Sequence, residues 1–236
     1  MSPRPSVTPL QRALRRALAA AAEPSRAAAM QAYMKSEMAY LGVPAGPRQA
    51  ACREVFSSYP FSSAESWRAD VLGLWWGAKH REERYAAIAL SGHRKAQAFQ
   101  TLDSLAMYEE LIVSGAWWDY VDELAAHRIG PLLAAYPSAM QREMLAWSRS
   151  SDLWKRRTAI LCQLAFKADT DAKFLYACIE PSLSSKEFFL RKAIGWALRQ
   201  FARCDPSAVR KYVREHAGEL SSLSQREALK HLSAAR

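Results

Sequence analysis

The chain has 236 residues, with 33 Lys and Arg against 23 Asp and Glu and a formal net charge of +10. Half of it is hydrophobic and only nine residues are Gly, which favours a helical protein with ample length for a packed core. No apolar run approaches the roughly 20 residues of a membrane span, so the expectation is a soluble basic protein whose field attracts nucleic acid or an anionic membrane surface.

The first 22 residues are rich in Arg and Ala and lack an acid, which superficially resembles a transit peptide. The simpler account is an unstructured start over residues 1–7 followed by an ordinary helix. Thr8-Pro9 supplies a cap and a first-position proline, and Leu10, Leu14 and Leu18 continue as an apolar stripe to about Ala22. Pro24-Ser25 is read as a break, with a second helix from Arg26 to Met38. Gly42-Val43-Pro44 and Gly46-Pro47 mark a loop. Further helices are expected at Arg48–Ser57, Ser66–Trp75, Glu82–Leu90 and Ser104–Val113, then from Asp119 to about Tyr136. Pro137, Asp152, Ser184-Ser185 and Pro206 punctuate the later ones. No stretch sustains the period-two alternation of a half-buried strand. The protein reads as all-α and as a single domain over 1–236.

A faint repeat runs through it. Arg84-Tyr85-Ala86-Ala87-Ile88 resembles Arg156-Arg157-Thr158-Ala159-Ile160, and Arg191-Lys192-Ala193-Ile194 is similar again. The separations, about 72 and about 35 residues, suit two periods and one of a helical-hairpin solenoid. Cys52, Cys162, Cys178 and Cys204 form no C-x-x-C pair and have no close His partner. That argues against zinc and for isolated thiols in a reducing cytosol.

Trp117-Trp118-Asp119-Tyr120-Val121-Asp122 is the most unusual run. Trp118 and Asp122 are four apart and share a helix face, about 6 Å from each other. Val121, Leu124, Arg128 and Leu132 fall on the other side. An indole beside a carboxylate suits the handling of a cationic group on a polyanion. Equally, Asp119 fits a helix cap and Asp122 the third helical position, where an acid favours the macrodipole. Between Ser185 and Arg203 the stripe Leu190, Ile194, Leu198 and Phe201 must face the core. Trp196 lies about 200° around that helix from Ile194, with Lys192 and Arg199. It either stacks on a sugar or base while the cations hold phosphates, or covers a neighbouring repeat. Arg157 shares the apolar face of Trp154, Leu161 and Leu164 and needs an anionic partner. Asp122 is the obvious candidate, either as a structural pair or as a catalytic acid kept ionised by an arginine.

Trp118, Asp122, Arg157 and Trp196 stand in an order and spacing that resembles the AlkD-type alkylpurine DNA glycosylases, which are built from HEAT-like repeats. The resemblance covers nearly the whole chain. It includes Tyr33-Met34-Lys35, Glu109 to Val113, Trp154 with Ala159-Ile160-Leu161, Ser184 to Phe189, Arg191 to Trp196, Leu198-Arg199, Ser224 and Arg226-Glu227-Ala228. It implies a curved α-solenoid that grips DNA on a concave face and releases N3- or N7-alkylated purines. Carried over by position, Trp118, Asp122 and Trp196 line the lesion site, Arg157 and Arg199 contact the DNA backbone, and Tyr33 lies beside the duplex. Lys192 joins the DNA-binding set. Tyr120 departs from a position that is usually small and polar, and is expected to bear on the mouth of the groove.

An alkylated purine of this kind is already cationic and leaves without protonation. What remains is to stabilise an oxocarbenium-like deoxyribose and to orient water, which one carboxylate can do. No metal or other cofactor is expected, and the partner is duplex DNA containing alkylated purines. The protein is read as intracellular and cytoplasmic, associated with the nucleoid when bound to DNA, and as a monomer. The rival is a non-catalytic helical-repeat scaffold that binds nucleic acid or protein through the same basic face.

Overall fold

The computed structural model describes residues 7–232. Residues 1–6 of the expected unstructured start lie outside them, and Val7 is exposed. Among the described residues every regular element is helical, and no described helix is long and apolar enough to cross a membrane. The chain divides into two compact units, residues 1–100 and 101–236.

The first unit carries α1 (Pro9–Ala20), α2 (Pro24–Met34), α3 (Ala45–Ser57), α4 (Ala64–Gly77) and α5 (Arg81–Ser91). α1 begins as the Thr8-Pro9 pair predicts. The Thr8 hydroxyl accepts from the Gln11 amide and the Gln11 side chain returns a bond to the Thr8 amide, a reciprocal capping box. The chain breaks over residues 21–23, and Pro24 itself opens α2, two residues before the expected Arg26. Proline fits the first helical turn, where its missing N–H has no partner to lose. The same reason puts Gly46-Pro47 inside the first turn of α3 and not in a loop. α2 stops at Met34, short of the expected Met38. Lys35 adopts a left-handed conformation with φ 48° there, and the Ser36 amide closes onto the Gln31 carbonyl.

α5 packs on α1, α3 and α4. Its Glu82 is fully buried, and its carboxylate accepts from the amides of Leu41, Gly42 and Val43 at 2.9–3.1 Å. Gly42 sits at φ 82°, where a Cβ would meet the Glu23 carbonyl oxygen at 2.2 Å. Trp67 and Trp75 fill the centre of this unit, and the Trp67 indole donates to the Leu90 carbonyl at 3.0 Å.

The second unit carries α6 (Leu105–Gly115), α7 (Trp118–Leu124), α8 (Gly130–Ala135), α9 (Pro137–Ser148), α10 (Leu153–Leu161), α11 (Ala172–Ile179), α12 (Phe188–Phe201), α13 (Pro206–Glu215) and α14 (Ser222–Leu229). α10 is its hub, packed against α6, α7, α9, α11 and α12. The similar segments of the sequence fall on α5, α10 and α12, and α10 packs directly on α12. The expected stripe Leu190, Ile194, Leu198 and Phe201 is buried against Ile160, Leu161, Val209 and Tyr212. α12 and α14 approach closely at Gly195, where a Cβ would lie 2.5 Å from the Glu227 Cβ and 2.9 Å from the Ser224 carbonyl oxygen. The Ser224 hydroxyl donates to the Arg191 carbonyl at 2.9 Å across the same contact.

Candidate active site

The Trp-Trp run opens α7. Trp117, in extended conformation, is the cap residue, so Asp119 falls in the first turn and not at the cap. An acid there still favours the helix N-terminus. Asp122 is one turn further in, and Trp118 and Asp122 share a face as their spacing requires. The helical path expected from Asp119 to Tyr136 is continuous from Trp118 to Ala135, but residues Ala125–Ile129 widen into a π turn. Pro131 accounts for this, because it has no N–H for the His127 carbonyl and its ring would crowd that oxygen. The Arg128 guanidinium donates to the freed carbonyl at 2.7 Å.

Arg157 reaches from α10 to Asp122. Its Nε and Nη2 donate to the two carboxylate oxygens at 2.7 and 2.8 Å, a bidentate pair. Its Nη1 donates to the Phe189 carbonyl at the start of α12 at 2.5 Å. One side chain thus ties three helices together at the carboxylate. Arg157 is 4% exposed, whereas the Asp122 side chain keeps 13% of its surface open. Burial pushes the Asp122 carboxyl above the ordinary 3.8, and the Arg157 hydrogen bonds and charge oppose that rise. Behind the pair, Trp117, Trp154 and Phe189 form an aromatic cluster with ring centroids 5.1–6.2 Å apart. The Trp117 indole nitrogen is buried there without an acceptor.

On α12 the residues Phe189, Lys192, Trp196 and Arg199 follow at intervals of three and four and share a face. Trp196 is half-buried and packs against the core of this unit. Lys192 and Arg199 both bind Glu227 of α14, Lys192 through Nζ at 2.9 Å to Oε1 and Arg199 through Nη1 to Oε2. The Lys192 hydrogen bond, with the charges of Lys192 and Arg199, holds the Glu227 carboxyl below its usual range.

The sequence matches the DNA alkylation repair enzyme family over residues 14–232. The chain belongs to this family. A solved structure described as a predicted DNA alkylation repair enzyme from Enterococcus faecalis superposes with a TM-score of 0.82 at 29% identity, covering 91% of this chain and 98% of that one. The comparison with curated proteins returns no match. Family membership gives this DNA alkylation repair enzyme its role in the repair of alkylated DNA, and makes DNA its partner.

Within this repair enzyme the second unit carries Trp118 and Asp122 on α7, Arg157 on α10, and Lys192, Trp196 and Arg199 on α12. Of these the structure joins Asp122 to Arg157 directly and Lys192 to Arg199 through Glu227. Tyr33 belongs to the first unit, near the end of α2, and is 76% exposed. Where the resemblance implies a DNA-backbone contact for Arg157, the structure shows a buried guanidinium with all its nitrogens engaged. Tyr120 corrects the expectation attached to it. It is fully buried, one turn from Leu124 on the core side of α7, so it does not border any opening.

Two partners in this family member escaped sequence reasoning. The Phe189 carbonyl is a backbone atom and carries no side-chain signature. Glu227 stands in the C-terminal Arg-Glu-Ala run, but only the Gly195 contact puts it opposite Lys192 and Arg199. Among the described residues no group of three or more His, Cys, Asp or Glu is placed to hold a metal ion. All four cysteines are free.

Proposed function

We propose that this enzyme is an alkylpurine DNA N-glycosylase acting on cationic N3- or N7-alkylated purines in duplex DNA. The observation that carries this reading is the Asp122–Arg157 pair: a carboxylate fixed from one side by a bidentate arginine and left partly open on the other. In the reaction the C1′–N bond breaks and its electron pair leaves with the base, neutralising the positive charge already there. No general acid is needed for that step. Asp122 stabilises the positive charge that develops on the sugar and orients a water, whose oxygen bonds to C1′ and whose proton is released.

Trp118 and Trp196 offer aromatic faces whose quadrupoles favour a cationic base and an electron-poor sugar, at about 0.5–2 kcal/mol each. Lys192 and Arg199 hold phosphates, and Tyr33 lies beside the duplex. Arg157 serves as a positioning residue, since it is buried and each of its three nitrogens is engaged with Asp122 or Phe189. No cofactor enters, and the protein works as a monomer built from HEAT-like helical pairs.

Release of free alkylpurine from randomly methylated duplex DNA tests this, with Asp122→Asn run beside the wild type. Release by the wild type and its loss in a folded, DNA-binding variant is the expected result. Equal release by both removes Asp122 from the chemistry. DNA binding without release by either makes the chain a scaffold.

A further inference from the structure

Lys192 and Arg199 stand two turns apart on α12, and one carboxylate holds both, each cation on its own oxygen of Glu227. Their side chains remain 39% and 22% exposed, against 18% for Glu227. Glu227 cannot swing away freely. Its Cβ is pressed against α12 at Gly195, and Ser224, one turn earlier on α14, is bonded across the same contact. A lysine ammonium and an arginine guanidinium each keep further N–H donors after one is spent on a carboxylate. The three charges sum to a single positive one, the complement of one phosphodiester.

We infer that Glu227 is a positioning residue of a phosphodiester subsite: it orients Lys192 and Arg199 toward one backbone phosphate and trims their joint charge to match it. The inference rests on the reading that this face of α12 meets DNA. Two free cations on long flexible side chains would grip any duplex and many of its counterion-covered phosphates. With Glu227 between them, they present a fixed pair of donors and a smaller field. The carboxyl is ionised at neutral pH as an ordinary glutamate is, and Lys192 and Arg199 hold it lower still. Glu227 thereby lowers the grip on undamaged DNA while sharpening the register of the strand that reaches the active site.

The test is binding of an unmodified fluorescent duplex oligonucleotide, by anisotropy across a salt titration, for wild type and Glu227→Gln. The variant is expected to bind about 3–10-fold more tightly at low salt. Its plot of log affinity against log salt should steepen by up to about 0.9, the value of one further phosphate neutralised. A purely structural role for Glu227 predicts the opposite, weaker binding from a loosened α12–α14 contact. Unchanged or weaker binding with an unchanged slope overturns the inference. If Glu227→Gln melts without cooperativity, Glu227→Asp carries the test by keeping the charge while breaking the bridge. It should melt cooperatively near the wild-type temperature, keep the wild-type slope and bind about 3-fold more weakly. Either wild-type affinity or a weakening that tracks a fall in melting temperature overturns the inference. A wild-type protein with no salt-dependent duplex binding defeats the DNA-facing reading itself. Wild-type binding that Glu227 substitutions leave untouched defeats only the role given to Glu227.

Discussion

Glu82 in the first unit and Asp122 in the second are both acids on helices, one fully buried and one largely so, and they are satisfied in different ways. Glu82 is fully buried, and the amides of three consecutive residues close around its oxygens. Those donors belong to a backbone whose path is fixed by Gly42 at positive φ. Asp122 has no such cradle. A single arginine holds it from one side, and part of its surface stays open. A carboxylate wrapped in backbone amides has spent its lone pairs on the fold. One held by a guanidinium alone keeps acceptor capacity in an environment dry enough to strengthen its field. The difference separates an acid closed off by backbone from one that keeps part of its surface open.

Substituting Asp122 by Asn should have the largest effect, and on function. Excision is expected to fall about 10²–10³-fold, the range for removing one preorganised electrostatic group, while the protein still melts cooperatively and binds duplex DNA. A variant that loses activity only by unfolding would place Asp122 with Glu82 instead. Glu82→Ala should do the reverse. It strands three amides, two of them on buried residues, at about 1–3 kcal/mol each. A drop in melting temperature of at least roughly 6 °C is expected, with excision by the remaining folded enzyme unchanged at low temperature. A melting point within a degree of wild type would show that water replaces the carboxylate there without cost.

The pH profile sharpens the contrast. Burial raises the Asp122 carboxyl above 3.8 and Arg157 opposes the rise. Excision should therefore fall as pH drops through a value above that of an exposed aspartate, and the limb should be absent in Asp122→Asn. Arg157→Lys removes the bidentate hold, so the limb should move to higher pH. A limb that stays in place would mean that Arg157 does not tune the carboxylate. Because the native state takes up this proton more readily than the unfolded chain, Asp122 itself favours the folded state as pH falls between the raised value and 3.8. The smallest effect belongs to Trp196→Ala. Loss of one aromatic face at about 0.5–2 kcal/mol corresponds to a reduction in excision of roughly 2–30-fold, read as kcat/KM on a methylated duplex. No change would assign Trp196 to core covering alone.

Several of these features were legible in the sequence because they are local. Helical periodicity placed Leu190, Ile194 and Leu198 in the core and put Trp196 on the face of Lys192 and Arg199, since a helix fixes which residues share a side. The apolar company of Arg157 required an anionic partner, and Asp122 was the candidate the structure provides. Proline misled at Pro47, where its position in the first helical turn outweighed its reputation as a breaker, and at Pro24 it shifted only the first residue of the next helix. Tyr120 misled because one residue of rotation on α7 separates the core side from the open side.

By itself, then, the sequence determined the helical class, the core stripes and the chemical identity of the acid, the indoles and the cations. These follow from residue type and from a period of a few residues. Tertiary structure alone decided that Arg157 also bonds the Phe189 carbonyl, that Glu227 joins Lys192 to Arg199, and that Glu82 closes on the loop from Leu41 to Val43. Each of those bonds spans about thirty or more residues. Its partner is selected by how closely two helices or a loop can approach, at Gly195 and Gly42 above all, and close approach is a property of packed surfaces that no local pattern encodes.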